Sequence, residues 1–245
     1  MKTALIVNEI IENDKSQNIK NIVLGIEKSA SEEAELAVFS ETAITGLINN
    51  DDIEHDLKLG VSKDSYEINS IRECAKKCNI DVCIGYFELE GNTLYDSAIY
   101  IDCNGEILEN YRRQSIGWRD PSVDGVYAEG QRTCLFKTRF GNMTILICGD
   151  LFDDEILDSV KELKADYLLF PFARSFFNGE ASMKRWIDEE EKDYCERIKK
   201  LKTFTFLVNY IGDPYFGGAF VINEKGDVVS TLELGRKGIL YYEKL

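Results

Sequence analysis

Short, nearly all-apolar runs separated by amphipathic stretches restrict the fold of this 245-residue chain more than any other feature. TALIVNEI (residues 3–10) and LAVF (36–39) have no polar face to offer water. A run of that length is read as a strand covered on both sides. Between them Ile19, Ile22, Val23 and Ile26 recur at helical spacing, with Asp14 or Ser16 available as a cap. Residues 62–79 repeat the pattern through Ile68, Ile71, Ala75 and Cys78. The stretch DVCIGYFELEGNTLYDSAIYIDCNGEI then reads as a meander, with tight turns at Gly91-Asn92 and Asn104-Gly105.

Two strands are predicted at 134–138 and 143–148, around a turn at Phe140-Gly141-Asn142. A helix at 154–163 and a strand at 167–170 follow. A long charged helix spans roughly 182–200 and is expected to be solvated on most faces. FTFLVNY, GGAFVINEKGDVVSTLEL and GILYYE close the chain as strands. This order predicts mixed sheets with helices on the outside. No linker rich in Pro, Gly or Ser and no internal repeat divides the chain, so one domain over residues 1–245 is expected.

Composition excludes several function classes. A formal net charge of −15 argues against a nucleic-acid backbone and an anionic membrane as partners, because both need clustered Lys and Arg. No window has the roughly 20 apolar residues of a membrane-spanning helix. The opening MKTALIVNEIIEND lacks the layout of a signal peptide, so a cytoplasmic location is expected. Seven scattered cysteines fit free thiols in a reducing compartment. Cys74 and Cys78 lie on one apolar helical stripe and read as core. The sole histidine, His55, sits in the acidic stretch DDIEHDLKLG. A Ser–His–Asp or Cys–His arrangement would have to use it, and a structural or surface role suits it better. Histidine-rich zinc sites are excluded by the count, and Cys74, Cys78 and Cys83 lack paired CxxC spacing.

Three places put a reactive group just past a buried strand, where α/β folds commonly build sites. In ILICGD, Cys148 follows Ile145-Leu146-Ile147 and precedes Gly149, which suits a nucleophile with a backbone oxyanion donor beside it. A buried structural cysteine is the other reading. In LAVFSETAITGL, Glu41 directly follows a strand; in a partly apolar pocket its carboxyl would be pushed towards the pH range of a general base. A surface Glu at a strand–loop junction is its plain alternative. ENYRRQSIGWRDP gathers Arg112, Arg113 and Arg119 around Trp118 in an acidic chain. A fixed cation there could hold a thiolate or an oxyanion, or the arginines could simply be paired on the surface.

Taken in this order, the three stretches resemble the nitrilase, or carbon–nitrogen hydrolase, superfamily. FSETAITG is similar to its F-P-E-x(4)-G-type motif, YRRQS to its Y-R-K-type motif and ICGD to its apolar-C-x-D motif. FGGAFVINEKGDVV resembles the late hairpin of the family, and TALIVNEIIENDKSQNIKNI its opening strand and helix.

The resemblance implies an α/β fold, a four-layer α-β-β-α sandwich with two mixed sheets, assembled as a homodimer or higher homo-oligomer. It implies hydrolysis of non-peptide C–N bonds in a small-molecule amide, nitrile or carbamoyl-type substrate, through a thioester on cysteine and without metal or organic cofactor. Carried over by position, Cys148 is the nucleophile, Glu41 the general base and Gly149 the oxyanion donor through its backbone N–H. Arg113 stands where the family has lysine; arginine can balance charge there but cannot shuttle a proton. Ser40 stands where proline is usual.

A further acid of the family falls on Asp124 or Glu129. Trp118, Phe172 and Arg174 are accessory or substrate-binding candidates, and Arg174 suits an anionic substrate or is a surface residue. A ligand-binding or regulatory relative and a thiol acyltransferase are the alternatives to a hydrolase.

Overall fold

β1 (Lys2–Val7), β2 (Leu36–Val38) and β3 (Asp81–Glu90) lie side by side and parallel. They form the middle of a six-stranded sheet that the computed structural model, describing residues 1–123, 125–176, 178 and 180–244, completes with antiparallel edges. β4 (Thr93–Ile101) and β5 (Ile107–Arg112) continue from β3 through the two predicted tight turns. The last strand of the chain, β12 (Gly238–Glu243), pairs antiparallel with β1 on the other side.

The second sheet repeats this plan. β7 (Gly141–Ile145), β8 (Tyr167–Pro171) and β9 (Phe204–Val208) are parallel at its centre. β6 (Phe136–Thr138) flanks β7, and β10 (Ala219–Ile222) and β11 (Val228–Leu232) follow β9, all antiparallel. Two mixed six-stranded sheets flanked by helices make the α-β-β-α sandwich.

Strand periodicity explains the layers. In β1, Leu5 and Val7 belong to the core shared with the second sheet, while Ala4 and Ile6 face the core under the helices. That outer core is filled by Ile19, Ile22 and Ile26 of α1 (Lys15–Ser31) and by Ile68, Ile71 and Ala75 of α3 (Tyr66–Cys78). Asp14 caps α1 by accepting from Gln17 N–H, and Ser65 caps α3 by accepting from Ile68 N–H. On the far side α4 (Asp154–Leu163) contributes Ile156, Leu157 and Val160.

The chain departs from the sequence reading in two places and settles a third that the reading left open. DDIEHDLKLG holds a short helix, α2 (Ile53–Leu59), started by Asp52 accepting from Glu54 and His55 N–H. His55 there pairs with buried Asp56 at 2.7 Å, in keeping with a structural role. The β6–β7 turn lies earlier than expected, since Gly141 already begins β7, and β7 stops at Ile145 rather than running to Cys148. The charged helix is interrupted: α5 (Met183–Trp186) passes through a π turn (Ile187–Glu191) into α6 (Lys192–Leu201). It is not merely solvated surface, because Trp186, Tyr194 and Ile198 are buried beneath it. No described helix is long and apolar enough to cross a membrane.

Candidate active site

The C-terminal ends of the parallel strands converge on a cavity of about 640 Å³. Cys148 and Gly149 line it from the turn after β7, Ala173, Arg174 and Ser175 from beyond β8, and Arg113 from beyond β5. Glu189, Glu190, Asp193 and Tyr194 close one side from the π turn and α6, and Pro214 and Tyr215 another.

Cys148 begins a 3-10 turn (Cys148–Phe152) with a positive φ of 44°. A non-glycine residue rarely adopts this conformation, and such strain persists only where neighbouring contacts over-determine it. Asp150 supplies those contacts. Its Oδ2 accepts from Ile147 N–H at 3.1 Å and from Tyr111 Oη at 2.8 Å. Its Oδ1 accepts from the N–H groups of Gln114 and Ser115 at 3.0 and 2.8 Å. One buried carboxylate thereby ties the cysteine turn to the segment carrying Arg113. The Cys148 thiol donates to Ala173 O at 3.6 Å.

Glu41 sits two residues beyond Phe39, in a turn folded over β3 and fully buried. The turn fits because Gly85 has no side chain: a Cβ there would stand 2.6 Å from Glu41 Cα. Burial pushes the Glu41 carboxyl up to about 8, with the nearby Cys148 adding to the shift and Arg113 opposing it.

Arg113 connects these parts. Its Nη1 donates to Glu41 Oε1 at 2.9 Å and to Asp96 Oδ2, on β4, at 3.3 Å. Nε donates to Ser115 Oγ at 2.8 Å. Nη2 faces Gly149, where an added Cβ would come within 2.5 Å of it. Burial works against the guanidinium charge, but Cys148, Glu41, Asp96 and Asp150 around it hold the cation more firmly than in water.

Of the residues singled out by sequence, Glu41, Arg113, Cys148, Gly149 and Arg174 are brought together. Arg174 is not open to an anion: its guanidinium is held by Glu190 of the π turn, Nε to Oε2 at 3.0 Å and Nη2 to Oε1. Three candidates lie elsewhere. Trp118 packs into a satellite cluster against Phe87 and Tyr127, although its neighbour Gly117 still lines the cavity. Glu129 pairs with Arg119 at 2.7 Å, outside the cavity lining. Phe172 is wholly buried and stacks on Phe170 in the core. Asp124 lies outside the described residues.

Three residues at the site were missed. Asp96 is a lone acid in the apolar strand TLYDSAIYI, and that oddity was its signal. Glu190 and Tyr194 were hidden in the charge run. Tyr194 is 1% exposed and lines the cavity, and its hydroxyl makes no hydrogen bond among the described residues. No cluster of three His, Cys, Asp or Glu with metal-binding geometry occurs among the described residues.

A family model described as carbon-nitrogen hydrolase matches residues 2–243. A nitrilase of Talaromyces marneffei is 26% identical over 158 residues, 60% of this chain and 49% of that protein. The chain thus matches about half the length of that relative. A carbon-nitrogen hydrolase of Helicobacter pylori G27 superposes over 98% of this chain and 88% of its own, with a TM-score of 0.85 at 18% identity. An amidase of Nesterenkonia sp. AN1, in a structure showing Michael addition of acrylamide at its active-site cysteine, superposes over 100% of this chain and 93% of its own. Its TM-score is 0.84 at 17% identity.

Proposed function

We propose, since this chain belongs to the carbon–nitrogen hydrolase family, that it hydrolyses a non-peptide C–N bond in a small amide, nitrile or carbamoyl compound. Cys148 is the nucleophile and Glu41 the general base in this reading. The observation that carries it is a strained Cys148 and the Arg113 guanidinium at one cavity, with a buried, proton-accepting Glu41 hydrogen-bonded to Arg113.

For an amide, Glu41 takes the Sγ proton as Cys148 attacks the carbonyl carbon. Arg113 Nη2 and the Gly149 N–H hold the negative charge that develops on oxygen. Glu41 returns the proton to the nitrogen as the C–N bond breaks, and the amine leaves. Water then loses a proton to Glu41 and attacks the thioester, releasing the acid and restoring the thiol. Every proton moves through Glu41, since a guanidinium gives none up.

The ligand-binding alternative was motivated by arginine at the lysine position. Here that charge is matched by Glu41 and Asp96, and the thiol still borders the cavity, which favours a hydrolase. Seven unpaired cysteines support a reducing, cytoplasmic setting. A homodimer belongs to the same reading, and light scattering measures it.

The test needs no substrate. Alkylation of the seven cysteines is followed against pH by mass spectrometry, in wild type, Glu41→Gln and Arg113→Ala. Fast reaction of Cys148 alone near neutral pH, altered by both substitutions, supports the mechanism. A Cys148 no faster than the other six sinks it. Once a substrate is cleaved, product analysis with added amine separates hydrolysis from acyl transfer.

A further inference from the structure

Two buried acids meet one buried base at this site, and the charges do not balance without a proton. Arg113 Nη1 lies 2.9 Å from Glu41 Oε1 and 3.3 Å from Asp96 Oδ2, and none of the three side chains is more than 4% exposed. With both acids ionised, Glu41 Oε2 and Asp96 Oδ1 have no donor among the described residues. Yet the two carboxyl groups are within hydrogen-bonding reach of each other. One positive charge against two negative ones leaves a net charge away from water, and each orphaned oxygen adds a further cost. A single proton shared between the two carboxyl groups balances the charge and gives one of them a donor. Carboxyl groups that share a site behave this way because the second must ionise against the charge of the first.

We propose that Asp96 is a positioning residue that holds one proton near neutral pH and donates it in a hydrogen bond to Glu41, so that a second acid keeps the proton a guanidinium cannot release. The proposal rests on the reading of Glu41 as the base for Cys148. With Asp96 neutral, Glu41 is the carboxyl that titrates, and once ionised it is an acceptor balanced by Arg113. It takes the Sγ proton as the C–S bond forms and gives it to nitrogen as the C–N bond breaks. Asp96 keeps its own proton throughout.

The other groups facing the pair are Cys148, Asp150 behind Arg113, and Tyr194, Tyr210 and Tyr215. Burial pushes the three phenols up, Tyr215 to about 12, so they do not titrate near neutral pH. Burial and the adjoining Glu41 likewise hold the Asp96 carboxyl well above the usual carboxylate range.

Infrared spectra of the full chain in H₂O and D₂O test this through the carboxylic-acid C=O stretch. Wild type just above pH 8, where Glu41 has given up its own proton, should show a protonated-carboxyl band that moves on deuteration. Asp96→Asn should lose that band, and Glu41→Gln should shift it. In parallel, Asp96→Asn should displace the pH midpoint of Cys148 alkylation by about one unit or more, a change that a purely structural role would not produce. No band sensitive to Asp96 overturns the proposal. So does an unmoved Asp96→Asn profile beside an altered Glu41→Gln profile, which leaves the base assignment intact. If Glu41→Gln also leaves the profile unmoved, the base assignment falls and the proposal with it. Should Asp96→Asn not fold, the wild-type and Glu41→Gln spectra decide: no band, or a band indifferent to Glu41→Gln, overturns it.

Discussion

Arg113 Nη1 donates to Glu41 Oε1 at 2.9 Å, in a contact where the guanidinium is 4% exposed and the carboxylate not at all. Desolvated pairs of this kind add little over a well-packed apolar replacement, but removing one partner strands the other. Arg113→Ala therefore leaves Glu41 and Asp96 facing each other without a counter-charge. Urea denaturation near neutral pH should show a loss on the order of 3–5 kcal/mol, shrinking as falling pH protonates the acids. A loss below about 1 kcal/mol would mean that solvent screens the contact after all.

Stability should also report the proton on Glu41. Its carboxyl is raised from 4.5 to about 8, first by burial. The folded state thus binds this proton more tightly than the unfolded chain does. The contribution is complete below about 4.5 and is lost as pH rises towards about 8, at on the order of 1 kcal/mol per unit. Glu41→Gln, which cannot ionise, should flatten this limb of the stability curve. Parallel wild-type and Glu41→Gln curves across the window would show that Glu41 titrates as it does in water.

What was legible in sequence follows from burial. Apolar runs such as TALIVNEI announce strands covered on both faces, and a reactive group just past such a run, as with Glu41 and Cys148, falls at the strand ends where the cavity forms. Side-chain direction was less legible. Glu190 and Tyr194 lie in a run of charge whose inward face emerges only when α6 packs on the second sheet. Trp118 and Glu129 are near Arg113 in sequence, but the intervening loop carries them to a separate cluster and a separate ion pair. Asp96 escaped notice because an acid in a strand reads as the solvent face, whereas both faces of β4 are covered.

Asp150 offers a test of how the cysteine turn is held. Asparagine would keep one acceptor for Gln114 and Ser115 N–H but turn an amide NH₂ towards Ile147 N–H, setting donor against donor. Asp150→Asn should cost about 2–4 kcal/mol in a denaturant titration, since a buried charged partner is lost and a donor is left unmet. Because the same carboxylate anchors the segments of Cys148 and Arg113, Cys148 alkylation should change in the folded variant too. Unchanged stability would mean that the turn keeps its φ of 44° by other contacts.

In the proposed hydrolase, the Arg174–Glu190 pair lining the cavity should set which substrate charge is accepted. Arg174 borders the cavity, yet its Nε is spent on Glu190 Oε2 at 3.0 Å and its Nη2 on the other oxygen. An incoming carboxylate would have to displace Glu190, so native specificity should disfavour anionic amides. Glu190→Gln removes the competing charge and leaves the guanidinium in place. It should raise kcat/KM for a carboxylate-bearing amide about tenfold relative to a neutral analogue, mainly through KM, the size expected of one charge-assisted pair. Arg174→Ala in the Glu190→Gln background should erase that gain. If Glu190→Gln leaves the ratio of the two substrates unchanged, the Arg174–Glu190 pair supports the π turn without reading substrate charge, and the selecting residues lie deeper, beside Tyr194 and Tyr215.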